Sequence, residues 1–431
     1  MHLAQRTYVL LTLTAILAIT GMWSGEPALE NAWHWPLALL LLGIALEGRL
    51  MRRLALELRI ETASRAFLGR PHAATFLFKH DSPRPLEIEY VPVVPTGFDT
   101  ALATRRVRVP AHEAAADVQT LLPVRLGPQS WPALPARILG PFALAWWSRR
   151  LPLSSAVVVA PDALRRAARV RGMRSGARAR RVVGAGAELH QLRDYLPGDP
   201  LARIDWKATA RRGRLVSREL SEDQHLDILV MLDAGRSSLV RTGALDRLGL
   251  YANLAARFAE RATAYDDQIG LLVFSDRAEL VLAPARGLDA VVRLRQALER
   301  LEPQRAESDP LAAAVRARGL LPRRSLIVLL TDLEDPAIAP ALARAVRLLS
   351  PPHVVLLADV QRPELAGLAR APAHDWRDPW VALAAREHET RAASRRALLR
   401  RLGAPVVTAP AEQLEQAVIG QYEALRLARR I

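Results

Sequence analysis

Residues 226–238 read LDILVMLDAGRSS. Behind a single polar residue, Asp227, five apolar side chains follow without alternation, and the run ends on Asp233 and a small polar turn. A continuous apolar run of this length suits a strand buried on both faces, because a strand with one wet face would alternate. Four further runs repeat the pattern: IGLLVF at 269–274, SLIVLL at 325–330, VVLLA at 354–358 and PVVT at 405–408. Amphipathic stretches such as 244–264 and 290–301 separate them, with apolar residues at helical spacing. Strand, helix, strand, helix over residues 226–431 means a doubly wound α/β domain with a mainly parallel sheet. Ligands in such sheets sit beyond the carboxyl ends of the strands, at the topological switch point.

Two carboxylates stand at that edge. Asp233 follows the first strand, in Asp233-Ala234-Gly235-Arg236-Ser237-Ser238, and Asp332 follows the third, in Thr331-Asp332-Leu333-Glu334-Asp335. Hard divalent ions take oxygen ligands, one or two carboxylates with hydroxyls and waters completing the shell. The arrangement resembles the metal-ion-dependent adhesion site of von Willebrand factor A domains. By that resemblance Asp233 and Ser237 belong to the first loop, and Asp332 is the carboxylate of the third. Gly235 stands where the first serine of the pattern belongs, which removes one hydroxyl, and Ser308 or Asp309 falls where the threonine is expected. The resemblance implies Mg²⁺ or Mn²⁺ with an open position for a partner's carboxylate. A simpler reading makes Asp233 and Ser237 turn and capping residues, and has Asp335, before Pro336, cap the next helix.

Upstream, residues 186–219 read GAELHQLRDYLPGDPLARIDWKATARRGRLVSRE. Charges of both signs alternate around a Pro197-Gly198-Asp199 turn, and Lys207 is one of only two lysines among 60 basic residues. Gly186, Glu188, Leu192, Arg193, Tyr195, Pro197, Gly198 and Asp199 follow the core motif of the bacterial domain-of-unknown-function 58 (DUF58) family. So do Arg203, Ile204, Asp205, Trp206, Lys207, Ala208, Ala210, Arg211, Leu215, Arg218 and Glu219, and the chain is identified as resembling that family. The resemblance implies two membrane spans, a small immunoglobulin-like β domain, this motif and a C-terminal von Willebrand factor A-like domain. It also implies a MoxR-type AAA+ ATPase as partner, in a chaperone-like or assembly role. The motif is then either a brace against the sheet, through buried Arg–Asp pairs, or the partner contact itself.

The rest of the chain fits that order. Residues 8–23 and 32–48 are apolar runs with Tyr8, Trp23, Trp33 and Trp35 at their ends, long enough for two transmembrane helices. Arg6 precedes the first, Arg49, Arg52 and Arg53 follow the second, and the short connection holds Glu26 and Glu30 without a basic residue. The positive-inside rule then puts both ends in the cytoplasm, anchored in the bacterial inner membrane. A cleaved signal peptide is the rival reading of the first run. Residues 54–161 alternate at period two: Phe76 and Phe78, then Leu86, Ile88 and Tyr90, then Val107 and Val109, then Leu122, Val124 and Leu126. That is the pattern of a β-sandwich. An Arg-rich linker at 162–182 holds eight arginines within 165–181 and leads to the motif segment, 183–225.

Composition narrows the chemistry. The 431 residues include no cysteine, which excludes disulfides and thiolate metal sites. The net charge of +16 is carried by arginine in an Ala- and Leu-rich chain. The Arg run lacks the interleaved aromatics of a single-strand binder, so a solvated linker touching anionic lipid is expected rather than nucleic acid. No P-loop, G-x-S-x-G or H-E-x-x-H occurs. The expectation is therefore a membrane-anchored interaction protein, not an enzyme, with no small-molecule substrate. A metal-dependent hydrolase on Asp233, Asp332 and Asp205 and an Arg-rich nucleic-acid binder are the alternatives.

Overall fold

A computed structural model describes residues 2–24, 26–100, 103–162, 182–222 and 225–428. The expected Arg-rich run, 165–181, lies outside the described residues, as do the side chains of Glu188 and Glu219. The chain divides into two compact units, Met1–Ala160 and Pro161–Ile431.

The first unit begins with two apolar helices, Gln5–Ser24 and His34–Arg53, each 20 residues and each long and apolar enough to cross a membrane. The buried residues of the first are small or polar, Thr7, Thr14 and Gly21, and those of the second are mixed, Leu40, Glu47, Gly48 and Met51. Leu13, Ile16, Ile19, Leu39, Leu41 and Leu42 point outward instead. A helix with its apolar side chains outside suits a lipid surround, where no hydrophobic force drives helices together and small residues let them approach. Glu47 is fully buried and accepts the backbone N–H groups of Leu144 and Ala145.

The β part of this unit holds a five-stranded sheet, in the order His2–Leu3, Ala145–Leu151, Leu134–Leu139, Leu86–Tyr90, Arg105–Val109. A four-stranded sheet runs Leu56–Thr62, His72–His80, Ala114–Pro123, Phe98–Asp99, and a three-stranded one completes it. Strand His72–His80 buries every second residue, including Phe76 and Phe78, as its alternation requires. Their rings meet aromatics from elsewhere in the fold, Phe78 against Tyr90 at 5.1 Å and Phe76 against Trp131 at 5.6 Å between centroids. One register differs from expectation. Leu121, not Leu122, faces the core, because pairing of His72 with Leu121 and Ala74 with Gln119 puts the odd-numbered residues inward.

The second unit is built on a six-stranded sheet in the order Ala278–Ala285, Gln268–Phe274, Asp227–Asp233, Leu326–Leu330, Val354–Val360, Val406–Ala409. Numbered along the chain this is 3-2-1-4-5-6, a doubly wound order with the switch point between strands Asp227–Asp233 and Leu326–Leu330. All pairings are parallel except the first, where Ala278–Ala285 returns antiparallel to Gln268–Phe274. Both faces are covered. Leu229, Met231, Leu272 and Phe274 pack with Ala313, Ala314, Leu342, Val346 and Leu399 from three helices. The opposite face, with Ile228, Val230, Leu232 and Leu271, meets the helix Arg247–Ala264. Each of these leucines is fully buried, a contribution of about 1.5–3 kcal/mol apiece before entropy.

Ahead of the sheet, Val182–Asp194 pairs antiparallel with Val216–Glu222, and residues 195–215 form an insert between them. The insert carries a turn and the short helix Trp206–Arg212. Gly198 sits at φ +109°, where a side chain would be strained, which explains the Pro-Gly-Asp turn.

Candidate functional site at the carboxyl edge of the sheet

Asp233 is the last residue of the central strand and is 1% exposed. Its Oδ1 accepts the Gly235 N–H at 2.9 Å and the Ser308 hydroxyl at 2.5 Å, and its Oδ2 accepts the Thr331 hydroxyl at 2.6 Å. Three loops thus meet on one carboxylate. Backbone bonds hold two of them in place, Arg236 N–H to the Ala306 carbonyl at 2.8 Å and Gln304 N–H to the Ala234 carbonyl at 2.7 Å. Burial pushes the Asp233 carboxyl up from the usual range, and the bonds from Ser308, Thr331 and Gly235 and the charge of Arg247 only partly offset it.

Gly235 has a steric reason. A Cβ there would fall on the Ser308 hydroxyl and close on the Ala306 carbonyl oxygen. The space that a side chain at position 235 would need is filled by the Ser308 hydroxyl, which donates to Asp233. Asp309, the other candidate there, instead caps the helix Pro310–Leu320 by accepting from Leu311 and Ala312. Gly235→Ser should overpack this spot and cost about 1–3 kcal/mol. The double variant Gly235→Ser/Ser308→Ala should recover most of that loss in thermal melts of the full chain.

Asp332, two residues past the strand Leu326–Leu330, is 5% exposed. It forms an ion pair with Arg247, while its Oδ1 accepts the Glu334 N–H at 2.8 Å. Arg247 is the first residue of its helix and is fully buried. A cation at a helix N-terminus opposes the helix dipole, so its carboxylate partners must outweigh that penalty as well as desolvation. One turn on, Tyr251 shares the helix face, with its hydroxyl 2.9 Å from Asp359 Oδ1 and 3.1 Å from the Thr331 carbonyl oxygen. Asp359, at the end of strand Val354–Val360, also accepts the Leu333 N–H at 3.0 Å and lies 3.9 Å from Arg247 Nε. Burial opposes the Arg247 charge, yet Tyr251, Asp359 and Asp332 together raise its pKa and keep it protonated. Glu334 anchors the far side of the same loop, with Arg362 at 2.8 Å and Arg396 at 3.2 Å.

Of the expected ion ligands, Asp233, Ser308 and Asp332 line this edge together. Ser237 stands in the following 3₁₀ turn, its carbonyl 3.4 Å from Arg247 Nη1 and its buried hydroxyl without a hydrogen-bond partner. Among the described residues, no group of three or more His, Cys, Asp and Glu side chains is arranged to hold a metal ion. Thr331, Arg247, Tyr251 and Asp359 belong to the site and were not in the expected ligand set. Asp359 had a readable signal, a carboxylate closing an apolar strand as Asp233 does. Asp335 does not cap a helix directly: it accepts from Ala337 in a turn, and the helix begins at Ala339.

The residues 186–219 motif forms a second candidate surface. Arg193 pairs with Asp199 at 2.8 Å, and Asp199 also accepts the Leu196 N–H, which holds its carboxyl below the usual range. Among the described residues Asp205 forms no ion pair; it caps the helix Trp206–Arg212 by accepting from Ala208 at 2.9 Å. Tyr195 N–H bonds to the Leu215 carbonyl and pins the insert to its own base. Of the Arg–Asp pairs expected to brace the motif, Arg193–Asp199 forms and is part-buried, while Arg211 and Arg218 are exposed and Arg203 is half-buried. Trp206 is 67% exposed, Leu201 70% and Leu196 58%, with Lys207, Arg211 and Arg212 exposed beside them.

The second unit is therefore a doubly wound α/β domain with an acidic, arginine-paired carboxyl edge and an exposed hairpin insert. Residues 191–400 match the family model described as "Protein of unknown function DUF58". An uncharacterized protein of Mycobacterium bovis and one of Mycobacterium tuberculosis are each 25% identical over 190 residues, 42% of this chain. The chain spans 57% of the length of these curated relatives. Among solved structures, the conserved hypothetical protein BatB from Bacteroides thetaiotaomicron is 16% identical, covering 46% of this chain and 99% of its own, with a TM-score of 0.31. Proximal thread matrix protein 1 from the mussel byssus is 12% identical over 45% of each chain, also with a TM-score of 0.31.

Proposed function

We propose that this chain is a membrane-anchored, cytoplasm-facing protein-interaction module that works with a MoxR-type AAA+ ATPase in an assembly or chaperone-like role. In this reading residues 226–431 form a von Willebrand factor A-like domain, residues 54–161 an immunoglobulin-like one, and the two apolar helices the anchor in the inner membrane. The partner comes from the family resemblance of the motif, and sidedness from the Arg residues outside both spans and the acidic loop between them. The observation that carries the reading is the exposure of Leu196, Leu201 and Trp206 on the hairpin insert, ringed by Lys207, Arg211 and Arg212. An exposed tryptophan flanked by arginines has the composition of an interface anchor. A structural brace would bury them instead.

The test is capture of the purified ATPase by the full chain in detergent micelles. Trp206→Ala is expected to weaken capture by about 30-fold, a loss of about 2 kcal/mol typical of a central anchor, with an unchanged melting temperature. Capture equal to wild type by Trp206→Ala and Leu201→Ser together would remove this surface from the contact.

A further inference from the structure

We propose that the guanidinium of Arg247 takes the place of a divalent ion at the carboxyl edge of the sheet, so that this face is built to work without metal. The inference is independent of which partner the chain binds. Asp332, the expected third-loop ligand, has its Oδ2 in an ion pair with Arg247 and its Oδ1 on the Glu334 N–H. Both oxygens therefore face hydrogen donors. The second buried carboxylate in reach of Arg247, Asp359, lies 3.9 Å from Nε and takes donors from Tyr251 and Leu333.

Steric fit points the same way. The hydroxyl that a divalent ion would draw from position 235 is missing, and the space it would need is filled by Ser308, which donates to Asp233. Arg247 itself is fully buried, so it is part of the packed site and not a surface residue folded over it. Among the described residues its Nε and Nη2 have no hydrogen-bond partner, nor do the Ser237 and Ser238 hydroxyls. Those N–H groups keep the positive charge of the guanidinium buried beside Asp332 and Asp359. A fixed cation and a mobile dication competing for Asp332 repel each other, and only the fixed one carries no cost of capture from solution.

The experiment is calorimetric titration of the full chain in detergent with MgCl₂ and, separately, MnCl₂, alongside melting curves with each salt and with EDTA. Wild type is expected to show no saturable heat and no shift in melting temperature. Arg247→Gln, which removes the cation and keeps a polar side chain, is expected to melt lower and to gain a saturable site that raises its melting temperature as Mg²⁺ is added. Saturable wild-type binding that disappears in Asp233→Asn would overturn the proposal, and that comparison decides even if Arg247→Gln does not fold. A folded Arg247→Gln indifferent to both ions would also overturn it, since the guanidinium would then not be filling an ion position.

Discussion

Replacing Arg247 with methionine is expected to destabilise the second unit by about 3–5 kcal/mol, the usual cost of deleting one partner of a buried ion pair. In a unit of this size that corresponds to a fall in melting temperature of roughly 5–10 °C. Methionine keeps most of the side-chain volume, so the loss reports charge and hydrogen bonding rather than a cavity. The variant leaves Asp332, 5% exposed, buried with no neutralising cation and takes the nearest positive charge from Asp359. Adding Asp332→Asn should recover part of the loss, because asparagine keeps the oxygen that accepts the Glu334 N–H while removing the stranded charge. A double-mutant cycle on Arg247 and Asp332 would measure the coupling directly. An exposed pair such as Arg391 with Glu387, by contrast, contributes little. A loss below about 1 kcal/mol for Arg247→Met would mean that the guanidinium is not neutralising Asp332.

The consequence reaches function through the loops. Asp233 gathers the ends of two strands and the 304–308 loop, Arg247 ties the start of a helix to the third loop, and Glu334 ties that loop to Arg362 and Arg396. These are the same loops that an interaction face on this edge would present. Their rigidity comes from charge pairing inside the chain, and a partner meeting them encounters a preformed surface whose ordering cost has been met in folding.

What was readable beforehand follows from the physics of each element. The four strands buried on both faces, and the half-buried edge strand Val406–Ala409, were visible within two residues of their bounds, because a strand covered on both faces is apolar nearly throughout. The antiparallel edge strand Ala278–Ala285 was missed. Its residues are mostly half-buried, so neither a continuous nor an alternating pattern marks it. Asp233 and Asp332 were found because fold topology says where to look for carboxylates. Arg247 was not, since it is one of 58 arginines and nothing in its neighbours separates a buried guanidinium from a solvated one. In the motif, charge alternation suggested ion pairs at Asp205. A carboxylate three residues before a free N–H serves equally well as a helix cap, and local geometry took that option.

Stability of the second unit is expected to decline as pH rises toward neutrality, and Asp359 is the main reason. Burial pushes its carboxyl up to about 7, and neighbouring Asp332 adds to the rise, while Arg247 and the bonds from Tyr251 and Leu333 pull against it. In the unfolded chain the same group titrates near the usual aspartate value of about 3.9. Between those two values the folded state holds a proton that the unfolded state has released, so stability falls with increasing pH. The contribution is complete below about pH 4 and lost as the pH passes through about 7. Asp233, also raised by burial, acts in the same direction. Asp359→Asn removes the titration while an amide oxygen still faces the Tyr251 hydroxyl, at the cost of the bond from Leu333. Urea midpoints of the full chain, taken in steps from pH 4.5 to 8, should therefore slope downward for wild type and less steeply for Asp359→Asn, in which Asp233 and His353 still titrate. Parallel slopes for the two proteins would show that Asp359 stays ionised throughout, fully held by Arg247, and would move the pH dependence of this edge to Asp233.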